Sequence, residues 1–298
     1  MKPLLTVFTP TYNRAGLLPR LYDALLRQSS KNFIWMIIDD GSTDGTGDIV
    51  REWMRRDGGF EIKYFYKENG GLYTGYNLAI EKLETELAVC IDSDDFPTDD
   101  AAEKIERFWR EHGSDEFAGI EALDCYADGT IVGEKLPNAR TVNLIDIMTG
   151  RAKSGRGDKK PVVRSALYKS VAPMEGFEGE KYFNPHYMHL QISFDYDFLV
   201  MNEPICVVEY QPDGMTRGIY RQYVQSPHSF ARFRRLQMQF KGAPLSFRVK
   251  TAVHYCAECI LGGENPFQTV GTRWKFLCVL VYPVSACFAK YIKRKSKI

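Results

Sequence analysis

Cys90-Ile91-Asp92-Ser93-Asp94-Asp95-Phe96-Pro97 is the stretch from which the rest of the chain is best read. Leu87 to Ile91 is an apolar run of strand length, and three carboxylates crowd its C-terminal end before Pro97 opens the next segment. Like charges this close repel one another unless a cation sits among them, and a hard divalent ion suits carboxylate oxygens. Mg²⁺ or Mn²⁺ held by one or two carboxylates completes its shell with water and substrate phosphate. The cluster therefore points to a phosphate-bearing ligand. The competing reading is an acidic turn capping the next helix, with Asp94 or Asp95 as N-cap.

Upstream, the same strand-loop-helix pattern repeats. Leu4 to Thr9 is a β-branched apolar run that breaks at Pro10, and Leu17, Leu18, Leu21, Leu25 and Leu26 follow at helical spacing. Phe33 to Ile38 ends in Asp39-Asp40-Gly41-Ser42, with Ile49, Val50 and Trp53 marking another helix. Ile62 to Tyr66 leads into Asn69-Gly70-Gly71 and a helical segment from Tyr73 to Leu83. Four strands alternating with helices predict an α/β fold with right-handed crossovers and a mainly parallel sheet. Ligands of such sheets bind outside the carboxyl ends of the strands, where Pro10-Thr11-Tyr12-Asn13, Asp39-Asp40, Asn69-Gly70-Gly71 and Asp92-Ser93-Asp94-Asp95 would converge. Each loop alone also reads as ordinary turn chemistry. No G-x-G-x-x-G and no phosphate-loop motif occurs at these positions, which argues against dinucleotide oxidoreductases and P-loop NTPases.

The succession Thr9-Pro10-Thr11-Tyr12-Asn13-Arg14, Asp39-Asp40-Gly41-Ser42-Thr43-Asp44, Glu68-Asn69-Gly70-Gly71 continuing to Asn77, and Asp92-Ser93-Asp94-Asp95 resembles glycosyltransferase family 2. The resemblance is dense to about residue 115 and looser to about residue 216. It implies a GT-A (Rossmann-like) fold of mainly parallel sheet with flanking helices, a nucleotide-diphosphate-sugar donor and an inverting transfer. It places Pro10, Thr11, Tyr12 and Asn13 at the donor, and Asp39 or Asp40 on a ring N–H of the base. Asn69, Gly70 and Asn77 would line the base and phosphate side, Asp92 and Ser93 the ribose or sugar side. Asp94, with Asp92, would ligate Mg²⁺ or Mn²⁺. Leu72 departs from the family, since many relatives carry Lys or Arg near the phosphates. The resemblance also leads to a carboxylate base beyond residue 173. Glu180 matches its position, Lys181 replaces the following Asp, and Glu178 is a second candidate. The alternative for either is a carboxylate in the first turn of a helix. His186 and His189 are spaced for one helical face, more in keeping with a surface role than with acceptor contact.

Further on, Asp128-Gly129 signals a hairpin between Phe117 to Tyr126 and Thr130 to Gly133. Residues 138–160 read as a mobile polar loop, and Asn202-Glu203-Pro204 as a turn between two strands, Phe198 to Met201 and Ile205 to Tyr210. Gly214-Met215-Thr216 closes the expected catalytic domain, 1–216, divided into a donor part (1–115) and an acceptor part (116–216). Residues 217–298 form a basic helical C-terminal extension.

The 298-residue chain is 44% hydrophobic, enough for a sizeable core, and its net charge is only +1. That balance hides an asymmetry: residues 215–298 hold 15 basic and 2 acidic residues (+13), the remainder 24 and 36 (−12). Phe276 to Ala289 is uncharged and precedes Lys290, Lys293, Arg294, Lys295 and Lys297. At 14 residues the run is shorter than a bilayer span and reads as an interfacial anchor on an anionic membrane. The rival is a core helix with a basic tail. Seven irregularly spaced cysteines suit a reducing compartment, and no signal-like run opens the chain, so the expected place is the cytoplasmic face of the plasma membrane.

The expected activity is therefore transfer of a sugar from a nucleotide-diphosphate-sugar, with UDP-sugar favoured, to a saccharide or lipid-linked saccharide of a cell-surface polysaccharide. A sugar nucleotidyltransferase is the first rival, but Pro10 to Arg14 lacks the glycines its first loop would need. A nucleic-acid-binding module is the second, and it leaves the three aspartates unexplained.

Overall fold

The computed structural model describes residues 3–209 and 218–297. Tyr210 and Gly214-Met215-Thr216 lie outside the described residues. The chain divides into two units, one of Met1–Pro173 with Met188–Glu209 and one of Met174–Tyr187 with Tyr210–Ile298. The stretch carrying Glu178 and Glu180 thus groups with the C-terminal helices, where the sequence places it in the acceptor part of residues 116–216.

In the first unit, β1 (Leu5–Thr11) and β2 (Phe33–Asp39) are buried along their whole length, which is why each reads as a continuous apolar run rather than an alternation. They pair in parallel with each other and with β3 (Glu61–Tyr66) and β4 (Leu87–Cys90). Helices α1 (Leu18–Arg27), α2 (Thr46–Trp53) and α3 (Leu72–Lys82) make the crossovers. Tyr22 of α1 stacks on Trp53 of α2 at 4.4 Å, and Trp35 of β2 lies 5.7 Å from Trp53, an aromatic layer that locks both helices onto the sheet.

Beyond β4 come β5 (Phe96–Pro97), α4 (Ala101–His112), β6 (Phe117–Cys125), β7 (Thr141–Val142) and α5 (Leu144–Thr149). They are followed by β8 (Lys159–Arg164), α6 (Ser165–Val171), α7 (His186–Ile192) and β9 (Asp197–Val207). The sheet order is β3-β2-β1-β4-β8-β6-β9-β5, with β7 also on β9. Strand β8 runs antiparallel between β4 and β6, so the sheet is mixed beyond its parallel half.

Three local expectations are corrected. Asp128-Gly129 does turn the chain, with Gly129 at φ 83°, but the return is one bridge from Ile131 to Cys125 rather than a strand. Asn202-Glu203-Pro204 is no turn: it lies inside β9 as a bulge, where the pairing jumps from Glu121–Val200 to Leu123–Pro204. The Asn202 amide is spent on the backbone of Leu136, accepting from its N–H at 2.8 Å and donating to its carbonyl at 3.2 Å. Residues 138–160 contain β7 and α5, and their end is pinned by Lys159, whose ammonium donates to the carbonyls of Val132, Arg156, Gly157 and Asp158.

The second unit is helical: α8 (Ile219–Gln225), α9 (Pro227–Gln237), α10 (Leu245–Gly262), α11 (Pro266–Thr269) and α12 (Thr272–Lys295). Tyr255, Cys256 and Cys259 of α10 pack with Cys278 and Val281 of α12 in its core, and Arg234 of α9 is paired with the fully buried Glu258 at 3.2 Å. Helix α12 is 24 residues long, well beyond the uncharged run, because Lys and Arg are good helix formers. Among the described residues it is the one helix long and apolar enough to cross a membrane by length and composition. One face, Cys278, Val281, Ser285, Ala289 and Ile292, is buried; the other exposes Phe276, Val279, Leu280, Val284 and Tyr291.

Candidate functional site

Register alone aligns the carboxyl ends of the parallel strands, pairing Thr11 with Asp39 and Asp39 with Tyr66. The loops after them are clasped by side chains. Asn13, in the left-handed region at φ 53°, takes the Thr43 N–H on its amide oxygen, and its own N–H donates to Ser42 Oγ at 2.8 Å. Asn suits that conformation as few residues other than glycine do. The expectation that Asn13 sits at the donor thus meets a residue already tying two of the site's loops together.

The two aspartates after β2 have different tasks. Asp40 accepts from Lys67 Nζ, from the Asn69 amide and from the N–H groups of Gly70 and Gly71, so its lone pairs are spent within the protein. The close approach needs a glycine at 41, at φ 87°, where a Cβ would stand 2.9 Å from Asn69 N. Asp39 accepts from Ser42 N–H at 2.7 Å on one oxygen and from Tyr64 O–H at 2.6 Å on the other, which leaves each oxygen room for another donor. Burial and the Asp39 carboxylate push the Tyr64 hydroxyl well above its ordinary pKa, so it stays a donor. Thr11 Oγ1 is buried and has no hydrogen-bond partner. Tyr12 is half exposed beside it, and Asn77 lies on the second turn of α3.

After β4, Asp92 is exposed, Ser93 is buried, Asp94 is half-buried and Asp95 is buried. The Asp95 N–H donates to the Asp92 carbonyl at 3.0 Å, forming a tight turn. Burial, then the Asp92 charge, raises the Asp94 pKa; the charge of Arg14 opposes that shift. Arg14 therefore supplies positive charge near Asp94. Asp95 is pushed up to about 7 by burial, against the pull of Lys160. Lys160 Nζ lies 3.7 Å from Asp95 Oδ2 and 3.6 Å from Asp124 Oδ1, and these carboxylates keep it protonated despite its burial. The cation that the three aspartates call for is, for Asp95, a lysine of the protein itself. Asp92 and Asp94 remain as hard oxygen donors. No group of three or more His, Cys, Asp or Glu residues able to hold a metal occurs among the described residues. Two carboxylates still fit Mg²⁺ or Mn²⁺, which habitually leaves its other positions to water and phosphate.

Deeper in the same sheet, Glu121 of β6 is buried with one oxygen unpartnered, and burial raises its pKa to about 8. A carboxyl raised this way favours the protonated folded state, so its contribution is full below about pH 4.5 and is lost as pH rises toward 8. The stability of Glu121→Gln, measured by urea unfolding relative to the parent, should be flat below about pH 4.5 and climb between there and pH 8. A difference independent of pH would show that Glu121 is not held neutral.

In the second unit, Glu180 is 6% exposed, and both oxygens are committed. Oε1 accepts from the His228 N–H at 2.9 Å and pairs with His228 Nδ1 at 2.7 Å; Oε2 accepts from Ser229 N–H at 2.8 Å and Ser229 Oγ at 2.6 Å. His228 and Ser229 are in the first turn of α9, whose Pro227 has no N–H to satisfy. Glu180 is the N-terminal cap of a helix 48 residues away in sequence. A base needs a free lone pair, and here all are engaged. Glu178 is exposed. His189, expected at the surface, is buried with its ring nitrogen 2.7 Å from Tyr168 O–H.

Comparison with known proteins bears on the family and the fold. The profile described as "Glycosyl transferase family 2" matches residues 6–121. The putative teichuronic acid biosynthesis glycosyltransferase TuaG of Bacillus subtilis is 34% identical over 110 residues, 37% of this chain and 43% of that protein. Validoxylamine A glucosyltransferase of Streptomyces hygroscopicus subsp. jinggangensis is 46% identical over 71 residues, 23% and 16% of the two chains. The chain thus spans less than half the length of these curated relatives. Among solved structures, S. aureus TarS 1-349 in complex with UDP-GlcNAc superposes with TM-score 0.63 at 18% identity, covering 94% of this chain and 80% of that one. Mannosyltransferase PcManGT from Pyrobaculum calidifontis in complex with GDP-Man and Mn²⁺ gives TM-score 0.58 at 15% identity, covering 100% and 84%. At such identities the likeness is one of fold, and the fold is GT-A.

Proposed function

We propose that this chain, whose residues 6–121 match the family model of glycosyltransferase family 2, is an inverting, metal-dependent glycosyltransferase using a nucleotide-diphosphate-sugar. The observation that carries the reading is the strand-end site: Asp92 and Asp94 make no salt bridge among the described residues and follow β4, whose parallel neighbour β1 ends at Thr11 beside Asp39. Asp39, with Ser42 and Tyr64 each filling one direction, keeps acceptor capacity for a ring N–H such as uracil offers, in keeping with UDP-sugar as the favoured donor. Pro10 and Tyr12 flank the base, Asn69, Gly70 and Asn77 border the phosphate side, and Asp92 and Ser93 border the sugar. Asp94 with Asp92 would hold Mg²⁺ or Mn²⁺, whose charge would offset that of the departing diphosphate. For the hydroxyl proton we assign Glu178, since Glu180 is committed to α9. A thermal-shift panel of UDP-, GDP-, CMP- and dTDP-sugars with Mn²⁺, followed by donor hydrolysis, tests the reading: UDP-sugars should raise the melting temperature most. A panel with no shift would refute it.

The acceptor is proposed as a saccharide or lipid-linked saccharide of a cell-surface polysaccharide, met at the cytoplasmic face of the membrane. Support comes from α12, whose exposed apolar stripe is bracketed by Arg273 and Lys275 at one end and Lys290, Lys293, Arg294 and Lys295 at the other. Its opposite face is packed on α10, so crossing a bilayer would forfeit that packing, whereas lying in the interface keeps it. Binding to anionic vesicles should be strong at low salt and fall severalfold as salt screens the basic residues, and Leu280→Ser with Val284→Ser should weaken it at every salt concentration. Equal binding to neutral and anionic vesicles would contradict this reading.

A further inference from the structure

Lys160 is 8% exposed on β8, opposite Ala122 of β6, and its ammonium stands between Asp95 and Asp124. Asp95 is held from a second side by the N–H of Glu209, which donates to Oδ1 at 3.2 Å, and Glu209 is itself in a two-point pair with Arg20 of α1 at 2.7 Å. The third aspartate of the loop is therefore anchored to β8, to the segment after β9 and, through it, to α1. Its neighbours Asp92 and Asp94 have no comparable ion pair among the described residues: Asp92 is exposed and accepts from the weak thiol of Cys90 at 3.7 Å.

We propose that Lys160 is the resident counter-ion of the Asp92-Ser93-Asp94-Asp95 loop, a positioning residue that withholds Asp95 from the divalent cation and leaves Asp92 and Asp94 as its ligand pair. The inference rests on the metal-dependent reading above and names the residue that sets its geometry. An ionised carboxylate buried without a cation is costly. Without Lys160, Asp95 and Asp124 would draw a divalent ion inward. Mg²⁺ and Mn²⁺ bound through one or two carboxylates need their remaining positions open to phosphate, which a deeper, three-carboxylate seat would close. Lys160 fills that seat with a charge that cannot leave. Its neighbour Lys159 is occupied elsewhere, on four backbone carbonyls.

The test uses the full chain with UDP as nucleotide, free Mn²⁺ read by electron paramagnetic resonance, and melting temperature. Asp94→Asn should weaken Mn²⁺ binding at least tenfold, whereas Asp95→Asn should change it less than threefold. Lys160→Met should weaken it at least fivefold and raise the KM for Mn²⁺ more than it lowers kcat. Adding Asp95→Asn to Lys160→Met should recover most of the loss in affinity and in melting temperature, because the unpaired charge goes with its partner. Equal losses in Asp94→Asn and Asp95→Asn would overturn the proposal, as would additive effects of the Lys160 and Asp95 substitutions. If Lys160→Met does not fold, the comparison of Asp94→Asn with Asp95→Asn decides alone. A parent protein that binds no Mn²⁺ with UDP overturns the metal reading and this proposal with it. UDP-sugar binding that persists without metal would leave the donor reading standing.

Discussion

Asp94→Asn should lower sugar transfer by about a thousandfold, equivalent to ~4 kcal/mol of transition-state stabilisation, while the protein melts within a few degrees of the parent. The fold should tolerate the change because Asp94 is half-buried in a loop and carries no salt bridge among the described residues. Amide for carboxylate keeps the shape and removes the charge. The extra thermal stabilisation that Mn²⁺ adds to UDP should vanish, leaving only that of UDP alone. Transfer that keeps its metal dependence in this variant would refute the assignment. Asp40→Asn makes a useful contrast. It would damage the loop clasp formed by Lys67, Gly70 and Gly71, so its loss should be seen in stability as well as in nucleotide affinity.

The second large effect is expected in the helical unit. Glu180→Gln should destabilise the protein by about 2–3 kcal/mol, because charge-assisted bonds are lost and the new amide N–H₂ must face donors it cannot satisfy. The N–H groups of His228 and Ser229 are those donors, and they have no intrahelical acceptor at the start of α9. Hydrogen exchange should speed up in the first turn of α9 before it does in the sheet. Glu178→Gln should show the reverse: unchanged melting, unchanged KM for the donor and a lowered kcat, as expected for a group acting in the transition state. A Glu180→Gln variant that melts like the parent but turns over slowly would return the proton-accepting role to Glu180.

The parallel half of the fold is legible because β1 to β4 are separated by helices with clear apolar periodicity, and strands joined through helices run parallel whatever their order in the sheet. The strand-end loops could be read for the same reason, since a parallel sheet gathers its carboxyl ends. What stayed hidden was long-range. Strand β8 begins in Lys159-Lys160, polar text that looked like the end of a loop, yet Lys160 is buried by elements up to 65 residues before it in sequence. Glu180 matched a family position, but the helix end it caps is formed by residues with no local signal pointing back to it. The uncharged run marks only part of α12, since a helix does not stop where its charge begins. Asn202-Glu203-Pro204 has turn composition, and the register that makes it a bulge in β9 depends on β6.

The insertion of β8 beside β4 also shapes the order in which the protein can be completed during synthesis. The edge of β4, Leu87, Ala88 and Val89, is apolar and stays open until its antiparallel partner emerges. About 70 residues separate the two strands, so at about 5–20 residues per second the ribosome leaves that edge uncovered for about 4–14 s. During that window a second nascent chain offers the same edge. The stretch that carries the family match, residues 6–121, ends before β8 begins, so it does not contain the strand that covers the edge of β4.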